Sequence, residues 1–457
     1  LQMQKMLEDN ESRADLFVQA FVNNQPWADV VQRIEKMEKI TKDDVVAFAN
    51  NYLKDNNYAV VYKRQGEDPN IKKVNKPAIT PIFMNRDTTS AFLREVQASV
   101  VAPIEPVFVD FSKDMSQGTV GKLPLLYKKN ETNDIFALQY IYDFGTSEMK
   151  DMGIAASYLD YLGTSDMTAA EIKLAFYNLA CNYYISASKD RVVVGLSGLA
   201  ENMPKAMELL EKVLADAQPD KEAYDGLVDD ILRARLNDKA DQQANFRRLQ
   251  TYTFYGPNNP SNTILSEAEL RSMAPETLLQ RISQLSTLEH RVLYYGPLGM
   301  DEVSSTVASL HKVPENLSPV PENDVFNLQT VKENVVYIAP YDANQIYMIT
   351  YASRGDKYDV QKSPLLNMYN EYFGGGMNSI VFQEMREARG LAYSAYALAM
   401  EPARLEDPYG YFSMIATQND KMIDALTAFE EIINNMPLSE QAFAIAKEAI
   451  ISRLRSE

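Results

Sequence analysis

Two histidines, one cysteine, a run of three glycines and an arginine–tyrosine pair are the residues of this 457-residue chain whose types could do chemistry. His290 and His311 lie 21 positions apart (311 − 290), a spacing that fits neither His-Glu-x-x-His nor His-x-x-Glu-His. Zinc sites rely on imidazole and thiolate, and the chain has almost none of either. The two histidines therefore read as ordinary polar residues near a strand end and a helix end. Cys181, the single cysteine, sits in an apolar stretch and reads as a buried structural thiol. Gly374-Gly375-Gly376 is not followed by Gly-Lys-Ser/Thr, so it is no phosphate loop; a helix stop with close backbone approach explains it. Arg386 and Tyr393 are harder to dismiss. An earlier part of the chain repeats their helix-to-strand scaffold, with the matching positions near Asn178 and Ile185, so the scaffold does not demand a cation and a phenol. Two readings stay open here: a functional pair, or a helix-end arginine complementing the dipole beside a packed strand tyrosine.

The elements that must position this pair are tightly specified. Ser363 is a good N-cap, and Pro364 suits the first helical position. Leu365, Leu366, Tyr369, Tyr372 and Phe373 recur with helical spacing. Gly374 is expected to stop that helix through the left-handed conformation. Asn378 or Ser379 caps a second helix that runs to a stop at Gly390, and residues 391–400 read as a strand. Arg386 then falls on the last turns of a helix and Tyr393 early in the strand.

Composition narrows the function classes. With 45 basic and 63 acidic residues the formal net charge is −18, which would repel phosphate backbones and excludes nucleic acid as an expected partner. An acidic cavity would favour cationic ligands such as basic peptides. No apolar run approaches the length of a transmembrane helix. A lone cysteine excludes a disulfide framework and leaves the compartment open.

The length suits about three domains. Residues 1–40 read as helices, and Thr41 with Asp44 forms a capping box opening a further helix. Residues 58–62 are β-rich. Residues 66–105, punctuated by prolines, read as a linker with one helix near 91–98. Strands are expected at 107–111, 124–127, 134–144, 290–295 and 345–353, with a hairpin over 183–198. Helices are expected at 148–162, after Thr168, at 202–217, 219–236 and 276–285, with 237–275 left mixed. The last third repeats this order about 210 to 218 residues on, which signals duplicated domains. Leu16, Phe21 and Tyr62 align with Leu249, Phe254 and Tyr295 at one shift of 233 (295 − 62), so residues 1–65 resemble the close of a further copy. The chain is thus expected to be a fragment of a longer protein.

Phe373-Gly374-Gly375-Gly376-Met377-Asn378-Ser379, continued by Phe382-Gln383-Glu384-Met385-Arg386-Glu387-Ala388-Arg389-Gly390-Leu391-Ala392-Tyr393, resembles the pitrilysin/insulinase family of zinc metallopeptidases, in its C-terminal, non-metal half. The resemblance implies an α+β fold of tandem homologous domains, each a mainly antiparallel sheet packed with helices, as in the mitochondrial processing peptidase type. It places residues 1–65 at the close of the second domain, 66–105 as the hinge linker, 106–315 as the third domain without a metal motif, and 320–457 as most of the fourth. In this family the N-terminal half carries the zinc-binding His-x-x-Glu-His. The corresponding helix here, Gly153 to Thr164, holds no histidine, so zinc is implied for the full-length enzyme and no catalytic metal for this chain. The C-terminal half lends an arginine, and a tyrosine seven residues later, to the closed site; Arg386 and Tyr393 match. Arg386 would hold a substrate carbonyl, and Tyr393 would donate a hydrogen bond to the reacting carbonyl or oxyanion. The implied partners are the N-terminal half or a partner subunit, and a peptide substrate; the isolated chain should be inactive. Relatives of this size are often exported, which implies a periplasmic setting. The alternative within the family is a catalytically inactive structural or partner subunit.

Overall fold

The computed structural model describes residues 2–54, 56, 58–63, 65, 66, 90–100, 102, 104–322, 326–402, 405 and 407–456. Much of the expected linker therefore lies outside the described residues. The described chain forms two units, residues 2–104 and 105–457.

In the first unit, helices Asn10–Val22, Trp27–Val31, Arg33–Glu38 and Lys42–Tyr52 follow one another. Thr41 and Asp44 make the expected capping box. The helix at Ala91–Ala98 is present. Residues 58–63 belong to none of the nine strands among the described residues, which corrects the β-rich expectation there. Val and Tyr favour an extended backbone, but a strand also needs a neighbour to complete its ladder.

The second unit holds two sheets. The larger contains β1 (Ser116–Val120), β2 (Leu123–Lys129), β3 (Ile135–Tyr142), β4 (Cys181–Ala187), β5 (Val192–Leu199) and β6 (Arg291–Gly296), in the order β1-β2-β6-β3-β5-β4. Every pair is antiparallel except β2 with β6. Helices Met152–Leu159, Ala169–Asn178, Met203–Asp216, Pro275–Gln284 and Met300–Leu310 bury their apolar sides in one core with Phe136, Leu138, Tyr140 and Val194 of the sheet. Residues 107–111 are not a strand. They lead into a single helical turn, Phe111–Asp114, capped by the Asp110 carboxylate. Val107 and Phe108 are exposed, so no burial rewards pairing there.

The smaller sheet contains β7 (Gln345–Ala352), β8 (Ser394–Met400) and β9 (Gly410–Gln418), ordered β7-β9-β8. This repeats the β3-β5-β4 order. β7 starts and ends 210 residues after β3 (345 less 135, 352 less 142). The same offset takes Met152–Leu159 onto Ser363–Tyr369 to within a residue at the start, and Ala169–Asn178 onto the helical stretch 380–388.

Helix Gln242–Tyr255, in the stretch left mixed by the sequence reading, packs on β7 of the smaller sheet. Phe246 packs on Tyr347 with centroids 5.4 Å apart, and Phe254 on Tyr351 at 4.8 Å. Gln242 Nε2 donates to the carbonyl of Gln345 at 2.6 Å.

Candidate functional site

The polypeptide around Arg386 departs from a regular helix twice. Helix Ser363–Tyr369 continues as a π-helical turn over Asn370–Gly375, and the short helix Ile380–Phe382 continues as a second π turn over Gln383–Ala388. Such turns widen the helix by one residue and recur at functional sites. Ser363 is the first residue of its helix rather than the cap, with Pro364 in the first turn; its hydroxyl bonds Glu401. Ser379, not Asn378, caps the second helix, accepting from the N–H of Phe382 at 3.3 Å. Gly374 does not take a left-handed conformation, so it does not end the helix as expected. Its missing side chain serves close approach instead, because a Cβ there would overlap the carbonyl of Ala397 on β8. Beside it, Asn370 bonds both ways with the Ala399 backbone, at 3.0 and 2.8 Å. The first helix is thereby clamped against β8. Gly390 does take positive φ, 57°, and ends the second helix as expected.

Tyr393 stands one residue before β8, with its N–H donating to the Ala416 carbonyl at 3.0 Å. The guanidinium of Arg386 lies over its ring, 5.2 Å from the centroid, and 5.1 Å from that of Phe382. A cation over an aromatic face is attracted by the ring quadrupole. Tyr393 is 75% exposed, so the pair faces solvent together and not into a packed interior. The second arginine of this helix behaves differently. Arg389 meets Glu431 at 2.9 Å and Glu384 at 3.5 Å, and the hydrogen bond to Glu431 raises its pKa. Arg386 has a looser ion pair, 3.8 Å to its sequence neighbour Glu387.

The matching stretch beside the larger sheet supplies an internal comparison. Ala180 carries positive φ, 49°, at the helix end equivalent to Gly390, and the two lie 210 apart (390 less 180). At this offset the counterparts of Arg386 and Tyr393 are Phe176 and Tyr183, in place of Asn178 and Ile185. Phe176 and Tyr183 also touch, with centroids 4.8 Å apart. Phe176 is buried, and burial pushes the Tyr183 hydroxyl up to about 12. Counted from that helix end, both pairs are in contact. One pair is a buried phenylalanine against a half-buried tyrosine; the other sets a cation on an exposed tyrosine, so the phenol is common to both and the cation is what differs. Packing alone is satisfied by the first solution, so the second needs another reason.

Zinc does not fit the residues present. Helix Met152–Leu159, where a metal motif would fall, buries Met152, Ala155, Ala156, Tyr158 and Leu159. Among the described residues no group of three or more His, Cys, Asp or Glu side chains is arranged to hold a metal ion. Cys181 is buried, its thiol pushed up to about 11 by desolvation, which makes it a poor nucleophile. The two histidines, 21 residues apart in sequence, meet: their Nε2 atoms are 3.0 Å apart. The sequence carried no signal for that contact, because it depends on where β6 and helix Met300–Leu310 pack.

Residues 292–450 match the family described as peptidase M16 inactive domain. No curated protein matches the chain. Among solved structures, a peptidase M16 inactive domain from Pseudomonas fluorescens superposes with a TM-score of 0.57 at 16% identity, covering 74% of this chain and 83% of that one. The periplasmic protease PqqL from Escherichia coli gives a TM-score of 0.61 at 11% identity, over 92% of this chain and 44% of that one. The ferredoxin protease FusC, solved as a point mutant in complex with Arabidopsis ferredoxin, gives 0.60 at 11% identity, over 98% and 51%. The chain thus spans about half the length of these two proteases and shares their mixed helix-and-sheet fold.

Proposed function

We propose that this chain, whose residues 292–450 belong to the peptidase M16 inactive domain family, is the substrate-holding half of a two-part peptidase, with Arg386 and Tyr393 presented to the peptide. The observation that carries this reading is the Arg386–Tyr393 contact on an exposed surface, where the repeated stretch sets a buried Phe176 against a half-buried Tyr183. The Arg386 guanidinium offers several N–H donors in a fixed plane and suits a peptide carbonyl. The Tyr393 hydroxyl donates to the carbonyl under attack, where negative charge develops in the transition state. The Tyr393 ring beneath the guanidinium keeps the two donors together. Hydrolysis itself belongs to the other half, since the residues here do not fit a metal centre.

Residues 2–63 support a docked second half. Helices Asn10–Val22 and Lys42–Tyr52 fall on helices Gln242–Tyr255 and Pro275–Gln284 at an offset of 233 (255 less 22, 275 less 42), to within a residue at the other ends. Residues 58–63 then correspond to β6, a strand flanked by β2 and β3. Val60 and Val61 are exposed at 56% and 92%, whereas their counterparts lie in the sheet. We assign residues 1–65 to the close of a preceding domain, 66–105 to a hinge linker, and 106–315 and 320–457 to the two following domains. Closure of the two halves would bring Arg386 and Tyr393 to the cutting centre. An extracytoplasmic setting accords with the periplasmic location of PqqL.

The test is Tyr393→Phe in the full-length protein. Turnover of a saturating basic peptide should fall roughly ten- to a thousandfold, the range of a lost oxyanion donor. Unchanged turnover would remove the catalytic role. A full-length protein with no hydrolysis at all, but with peptide binding retained, would favour the inactive partner subunit.

A further inference from the structure

Glu211, His311 and His290 form a chain of contacts inside the larger domain. The Glu211 Oε1 lies 2.9 Å from His311 Nδ1, and His311 Nε2 lies 3.0 Å from His290 Nε2. His290 Nδ1 lies 2.6 Å from the carbonyl oxygen of Leu288. Both histidines are buried, at 7% and 4% exposure. Tyr140 donates its hydroxyl to the same Glu211 oxygen at 2.9 Å and stacks on His311 at 4.0 Å; Tyr142 lies against His290 at 4.8 Å.

Counting protons along this chain gives a definite answer. A carbonyl only accepts, so His290 Nδ1 must carry a proton. The Glu211–His311 contact needs one proton between its two atoms. The Nε2–Nε2 contact needs one more, because without it two lone pairs would face each other at 3.0 Å in a buried site. That makes three protons. A carboxylate with two neutral imidazoles has only two. A carboxylate balanced by one imidazolium has three, as does a carboxylic acid beside two neutral imidazoles; both are neutral overall, which burial favours, and the greater ordinary basicity of imidazole puts the extra proton on a ring.

We propose that Glu211, His311 and His290 form a buried proton-binding relay that holds one proton beyond those of a carboxylate and two neutral imidazoles. The relay fastens three elements: helix Met203–Asp216 through Glu211, the end of helix Met300–Leu310 through His311, and the start of β6 through His290. Its route to solvent is His290, which lines a surface cavity of about 540 Å³ together with Lys122, Asp143, Glu289, Arg291 and Glu315. The charged groups at that mouth are partly engaged, Arg291 with Asp143 and Lys122 with the Glu315 carbonyl. The tyrosines contribute no proton near neutrality, since burial holds both hydroxyls well above their ordinary value.

The relay has a pH edge at His290. Burial, followed by the nearby charge of His311, pushes His290 down to about 4, so a further proton is resisted. The folded pKa lies below the ordinary 6.5, so this contribution is full above 6.5 and is lost as pH falls toward 4.

The chain has two histidines, so imidazole nitrogen-15 NMR reads the relay without ambiguity. At about pH 7.5, above the ordinary imidazole pKa, the intact chain should show one ring protonated on both nitrogens and one on Nδ1 alone. Two neutral rings would overturn the proposal. Glu211→Gln keeps the shape and removes the balancing charge; in that variant both rings should become neutral at the same pH. A doubly protonated ring persisting there would overturn the role of Glu211. Uptake of added cobalt(II) by the intact chain, seen as displaced imidazole signals, would show the lone pairs to be free and would also overturn it.

Discussion

Arg386 and Arg389 stand three residues apart and serve different ends. Arg389 is spent on Glu431 and Glu384, so Arg389→Ala should lower thermal stability and leave peptide affinity nearly unchanged. Arg386 stacks on an exposed phenol, so Arg386→Ala should leave the melting temperature within about 1 °C and weaken peptide binding severalfold, with titration calorimetry as the readout. Cys181 should resist alkylation at about pH 8 in the folded chain and react once the chain is unfolded, because burial disfavours its thiolate. Arg386 and Tyr393 were singled out in the sequence by residue type and by the family resemblance, whose seven-residue spacing they match. Their stacking, and the contact of buried Phe176 with Tyr183 in the repeated stretch, were not legible there, because the counterpart positions drift by two residues unless the left-handed Ala180 and Gly390 anchor them.

At the scale of elements, caps and periodicity were readable where local chemistry decides. The helix expected after Thr168 is present as Ala169–Asn178, opened by a capping box of Thr168 and Glu171. Thr168→Ala should cost about 1 kcal/mol, measurable by urea denaturation. The glycine-rich stretch shows where local reading stops. A left-handed stop and a close backbone approach both ask for glycine, and the tertiary neighbour at Ala397 decides between them at Gly374. Gly374→Ala must push β8 away from the helix, and it should destabilise the smaller sheet by more than about 1 kcal/mol. The π turns at 370–375 and 383–388 have no distinct composition, so the sequence reads them as ordinary helix. Helix Gln242–Tyr255 escaped notice because its aromatic side packs on a sheet about a hundred residues later.

For the whole molecule, the order repeated in the sequence has a counterpart in two sheets of matching order, β3-β5-β4 and β7-β9-β8, with β7 lying 210 residues after β3. The meeting of His290 with His311 was invisible, since no local pattern links a strand entrance to a helix end. The central claim is that this chain grips a peptide and does not cut it. Its most direct test measures binding and hydrolysis of one basic, extended peptide on the 457-residue chain with zinc present. The account predicts saturable binding that Arg386→Ala weakens and no cleavage above the buffer rate. Rapid cleavage by the chain alone, abolished by a chelator, would contradict it.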